Sequence, residues 1–136
     1  MDTIRKADYF SMETAHKVGE GARLLGALRD AGVNLLAFTG FPSGRRAQVD
    51  FIPADTEQFR AAARKLKLKV GARKTVFLAE GDDRPGAIAE ICEKLANAGV
   101  NMIAMDAVAI GNGRYGAIFW VAPRDVNKAA KLLGAS

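Results

Sequence analysis

The sequence predicts an α+β fold made of two β-α-β-β-α repeats, each an antiparallel sheet with its helices on one face. Three observations carry this expectation. The chain of 136 residues repeats itself at an offset of 67 positions. Apolar residues switch between strand and helix spacing in the same order in both halves. Glycines stand at matching places, where a helix must stop or a hairpin must turn.

The repeat is read directly. Ala31-Gly32-Val33-Asn34 returns as Ala98-Gly99-Val100-Asn101. Residues 9–66 then lie on 76–133 without a gap, and fourteen positions are identical, among them Phe10, Glu13, Gly19, Leu28, Ala62 and Ala63 with their partners. Substituted pairs keep their character, as in Lys17 with Arg84, Leu24 with Ile91 and Phe59 with Val126. Two copies of one unit explain this pattern. The expected boundaries are 1–70 and 71–136, with Gly71 breaking a short linker.

Each element follows from local chemistry. Tyr9–Glu13 and Thr75–Glu80 hold β-branched and aromatic residues and read as first strands. Ile88, Ile91, Cys92 and Leu95 stripe a helix, as do Gly21, Leu24, Leu25 and Leu28 in the first copy. A buried, inert thiol is expected at Cys92. Gly32 and Gly99 suit the left-handed residue that ends a helix. Val33–Phe41 and Val100–Ile110 read as second strands. Gly44 and Gly111-Asn112-Gly113 are turns, and Arg46–Ile52 and Arg114–Val121 return as third strands. Phe59, Ala62, Ala63 and Leu66 stripe a second helix, matched by Val126, Ala129, Ala130 and Leu133. Lys67–Val70 can add a fourth strand to copy one, whereas copy two stops at Ser136 with no final strand. This order is the ferredoxin-like plan.

Composition excludes several classes. One cysteine forms no internal disulfide, and no Cys/His cluster offers a zinc site. Ser-His-Asp, P-loop and H-E-x-x-H patterns are missing, so neither a catalytic apparatus nor a cofactor is expected. No run of 18 apolar residues predicts a membrane span, and no secretory signal is visible, which makes the cytoplasm the default location. The net charge is +5. Its densest basic group, Arg60, Arg64, Lys65, Lys67 and Lys69, reads as a solvated face or a binding patch.

Asp82-Asp83-Arg84-Pro85-Gly86 before the striped helix, then Ala98-Gly99-Val100-Asn101-Met102 opening the next strand, resembles the ACT domain. That module senses small molecules in amino-acid metabolism, as in the regulatory regions of phosphoglycerate dehydrogenase and the aspartate kinases. The chain is similar to a stand-alone tandem ACT protein without an attached catalytic domain. The resemblance implies that Asp83, Arg84, Gly86 and Asn101 lie where such domains bind amino acids. Their counterparts in copy one are His16, Lys17, Gly19 and Asn34, although Val18 and His16 replace the proline and the acid.

The residues themselves offer a physical account. Pro85 suits the first turn of a helix, and Gly86 admits close approach. Free N–H groups at the helix start favour a carboxylate, while Asp83 can cap the helix or hold an ammonium. Asn101 can reach a ligand across a dimer seam or simply sit in a turn. Asp106, in mid-strand, is an exposed position or an ammonium contact.

The expected function is therefore regulatory binding of an amino acid or similar molecule by a homodimer that acts on a partner enzyme. An alternative is single-stranded RNA binding, since the RNA-recognition motif shares the strand order and carries aromatics on its first and third strands. Val76–Gly81 and Arg114–Phe119 loosely resemble those strands, but copy one lacks the aromatics.

Overall fold

The structure, a computed structural model, describes residues 2–136. In chain order the elements are β1 (Thr3–Ala15), α1 (Glu20–Asp30), β2 (Leu35–Ser43), β3 (Arg46–Pro53), α2 (Thr56–Lys65), β4 (Lys74–Asp82), α3 (Ala87–Asn97), β5 (Met102–Gly111), β6 (Arg114–Val121) and α4 (Val126–Leu133). The α+β class, the antiparallel pairing and the repeated order are as the sequence predicts. The chain divides into two units, Asp8–Lys74 and residues 2–7 with Thr75–Ser136.

In the unit Asp8–Lys74 the strand order is β2-β3-β1. Strand alternation puts Phe10, Val49 and Phe51 on the face covered by α1 and α2, where Leu24, Leu28, Phe59, Ala62 and Ala63 meet them. Phe59 is the hub, its ring 5.0 Å from Phe10 and 5.4 Å from Phe51. Asp55 caps α2 by accepting from the Gln58 N–H at 3.0 Å. In α1 the residue beyond the cap is Gly32, whose φ of +80° lets the chain leave the helix without strain.

The other unit has the order β1-β4-β6-β5, and its core joins Phe77, Phe119, Ile91, Leu95 and Ala129. The Phe77 and Phe119 rings stack at 5.2 Å. Asn112 and Gly113, with φ of +55° and +71°, make the tight hairpin between β5 and β6.

Four expectations are corrected here. Lys67–Val70 is not a strand. Lys67 turns left-handed at φ +57°, and a single bond, Gly71 N–H to the Ser11 carbonyl at 2.9 Å, ties the segment to β1. Leu68 and Val70 still pack on the core. The boundary at 70/71 moves to Lys74/Thr75, and residues 2–7 leave the first repeat for the second. The reason is the edge of β4. An open strand edge is a liability, and the long β1 lies along the edge of β4 opposite β6. The gapless repeat breaks at the hairpin: Phe10 pairs with Phe51 and Phe77 with Phe119, an offset of 68 on the third strand. Finally, Cys92 is exposed. The buried line of α3 is Ala87, Ile91 and Leu95, spaced by four, and Cys92 lies about 100° around the helix from Ile91.

Candidate ligand-binding site

Within residues 75–136, Gly86 organises the site. Its φ of +84° is left-handed, so α3 begins at Ala87 and no side chain caps it. Two expectations change accordingly. Pro85 precedes the N-cap instead of opening the first turn, and Asp83 does not cap the helix. The Asp83 N–H instead donates to the Gly113 carbonyl at 2.8 Å, which pins the loop to the β5–β6 hairpin.

The loop, the start of α3 and β5 residues Ala107, Val108 and Ala109 enclose a groove of about 320 Å³. Asp83, Arg84, Gly86 and Tyr115 also line it. Arg84 donates to Glu90 at 2.7 Å. That bond holds the Glu90 carboxyl below the usual range and raises Arg84. The Tyr115 side chain is 4 % exposed, and its hydroxyl lies beside the Asp2 carboxylate. Burial first, and the nearby Asp2 carboxylate second, push its pKa up to about 12. The groove thus combines uncapped helix N–H groups with the Asp83 carboxylate, a set suited to a small zwitterion.

Asn101 and Asp106 lie elsewhere. Asn101 precedes β5 at its far end, about 20 Å along the strand from Ala107 at the rise of a β-strand. One unit therefore does not bring Asn101 to the Asp83 loop. Asp106 is exposed and pairs with Ile118, while Met105, which pairs with Phe119, turns to the core.

The unit Asp8–Lys74 repeats the geometry with different chemistry. Gly19, with φ +88°, is the uncapped N-cap of α1. His16, Lys17 and Asn34 are exposed, and Asn34 again sits at the far end, its carbonyl accepting from Ala54 N–H at 2.9 Å. Here the chain's own Glu20 is folded in. Its side chain is 8 % exposed and bonds the Arg23 guanidinium at 2.8 Å and the Thr14 hydroxyl. Arg23 and Thr14 lower its pKa to about 2 from the ordinary 4.5. Between those values the unfolded chain holds a proton that the folded chain does not. Stability from Glu20 is thus complete above about pH 4.5 and is lost as pH falls toward 2. Glu20→Gln is expected to flatten that part of the acid limb in urea midpoints measured against pH. Parallel limbs in both proteins would show that the Glu20 contacts do not operate in solution.

Two side chains escaped the motif reading. Period-two alternation from Phe119 does place Tyr115 on the core face, but nothing in the sequence marks it as lining the groove. Asp50 is buried, accepting from Ser11 at 2.6 Å, Thr39 at 3.0 Å and Gln48 at 3.2 Å. Its three donors come from separate strands, which spacing along the chain does not reveal. Burial and then the Asp50 charge raise the Tyr9 pKa.

No family model matches the chain, and no curated protein does. Solved structures do. Protein BT0572 from Bacteroides thetaiotaomicron is similar at a TM-score of 0.78 and 19 % identity, over 98 % of this chain and 88 % of that one. The regulatory subunit of aspartate kinase from Thermus thermophilus, in ligand-free form, is similar at 0.62 and 15 %, over 98 % and 94 %. A structure of aspartokinase alpha and beta subunits is similar at 0.61 and 16 %, over 97 % and 93 %. At these identities the likeness concerns the fold, and it is the ferredoxin-like, ACT-type fold the sequence predicts.

Proposed function

We propose that this chain is a non-catalytic regulatory protein that binds an amino acid or similar zwitterion in the groove at Asp83, Arg84 and Gly86. The uncapped start of α3 at Gly86, with Asp83 and Arg84 lining the same groove, carries this reading. The aspartate kinase regulatory subunits that share the fold lend it support. In this reading the ligand carboxylate meets the α3 N–H groups and Asp83 takes the ammonium. Asn101 and Asp106 would contribute from a second copy across a homodimer seam. β5 is an edge strand exposing Ile103, Val108 and Ile110, as such a seam requires. His16, Lys17 and Gly19, with Asn34 from a second copy, would form a weaker second site, because Glu20 already satisfies the start of α1. A cytoplasmic partner enzyme would feel the ligand through its different affinity for two states of the assembly.

The RNA alternative loses its platform. Phe77, Tyr115 and Phe119, the aromatics it relies on, are buried against the helices. Among the described residues, no helix is long and apolar enough to cross a membrane.

Thermal unfolding against the twenty amino acids tests the proposal. A ligand near 100 times its Kd stabilises by about 2.7 kcal/mol. We expect one or a few amino acids to raise the midpoint, Asp83→Ala to abolish the rise and Tyr115→Phe to weaken it. An equal rise in both variants would sink the site, and no rise with any amino acid would sink the ligand class.

A further inference from the structure

We propose that the unit Asp8–Lys74 carries a second site of different chemistry, a groove for a small multivalent anion. The groove has a volume of about 480 Å³ and lies between the end of β1, the start of α1 and the segment after α2. That is the size of a small-molecule site and too small for a macromolecule to fill. Met12, Leu66 and Leu68 give it an apolar floor. Around them stand Lys17, Arg23, Arg46, Lys67 and Lys69, against two carboxylates, Glu13 and Glu20.

Both carboxylates are already engaged. Arg23 holds Glu20 at 2.8 Å, and Arg46 stands 3.7 Å from Glu13. Lys67 and Lys69 form no ion pair among the described residues, and the Lys17 charge acts on the Glu20 carboxylate. Five cations against two anions leave three positive charges converging on one concave surface. A multivalent anion neutralises them together, whereas separate counter-ions in water do so weakly.

Two features of the repeat strengthen the assignment. Helices α1, α2 and α3 end in the same pair of backbone bonds, such as Leu68 N–H to the Ala63 carbonyl and Lys67 N–H to the Arg64 carbonyl. The residue beyond the cap is Gly32 after α1 and Gly99 after α3, but Lys67 after α2, where a φ of +57° disfavours a side chain. The strained position thus bears a cation at the groove rim. In the other repeat the partner of Thr14 is Gly81, and the Asp2 carboxylate fills the space where a side chain at 81 would stand. There the chain's own carboxylate closes the equivalent corner, while the groove of Asp8–Lys74 is open and basic. The phosphoryl and polycarboxylate classes share the required chemistry.

The test uses the full chain, with pyrophosphate and citrate as probes at constant ionic strength. Calorimetry should show binding of one or both, and which of them binds identifies the anion class. Lys67→Gly with Lys69→Ala removes two exposed cations and relieves the strained φ, so folding is spared. We expect binding to weaken about tenfold or more, as the loss of charge-assisted bonds implies. Asp83→Ala should leave anion binding unchanged, which separates this site from the amino-acid groove. Several outcomes would overturn the proposal: no binding of either probe, equal affinity in the double variant, or an equal heat from sodium chloride. Binding of a short single-stranded RNA without either probe would also overturn it.

Discussion

Phe59→Ala is expected to lower the unfolding free energy by about 3–5 kcal/mol, the cost of emptying a buried aromatic site. Phe59 is fully buried, and its ring lies 5.0 Å from Phe10 on β1 and 5.4 Å from Phe51 on β3. Truncation removes the transfer free energy of the side chain and also strands both partners, since strands β1 and β3 are fixed by their ladder and cannot collapse inward. Phe59→Val should cost less, because Val126 serves at the matching place in the other repeat. Urea unfolding with an unchanged m-value is the measurement, and hydrogen exchange should locate the loss within Asp8–Lys74. A cost below about 1 kcal/mol would mean that the site repacks and that the three rings do not form the keystone of this core.

The particular elements show why the fold was legible. Phe10, Phe51 and Phe59 belong to patterns with periods of two and near four, and such patterns depend on residues close together in sequence. Gly32 and Gly99 announce helix ends because a left-handed residue without a Cβ is the inexpensive solution there. What escaped depends on contacts distant in sequence. Residues 3–7 look like an unremarkable lead-in to the first strand, and nothing local says that they pair with β4 some seventy positions later. Lys67–Val70 has strand-like spacing, but the preceding helix ends in a turn that aims it away from full pairing with β1.

The candidate site shows the same division. Asp83, Arg84 and Gly86 were legible because a loop before a helix is a local device, and the structure brings them together on one groove. Asn101 was singled out for its place after Gly99, yet strand length alone carries it to the opposite end of β5. Tyr115 joins the groove through β6 pairing, with Gly81 opposite it on β4 and Ala109 on β5. A glycine facing a tyrosine across a strand pair is a weak sequence signal; the place of Tyr115 in the groove wall is a structural one.

The second large effect concerns the N-terminal half of β1. Ile4→Asp combined with Lys6→Pro should destabilise the unit of Thr75–Ser136 by about 2–4 kcal/mol. Ile4 packs against the core of Phe77, Ile91 and Phe119, so an aspartate there loses apolar burial and brings a charge to a partly dry surface. The Lys6 N–H donates to the Ser136 carbonyl at 3.2 Å, and proline deletes that donor. Releasing residues 3–7 uncovers the edge of β4, whose flat row of N–H and C=O groups then invites pairing with another chain. Two signatures follow: faster hydrogen exchange in β4, and concentration-dependent association by light scattering. The core around Phe59 should keep its protection, because Phe10–Ala15 still pairs with β3. If β4 amides stay as protected as in the unaltered protein, its edge does not depend on β1, and the second repeat is complete without the first residues of the chain.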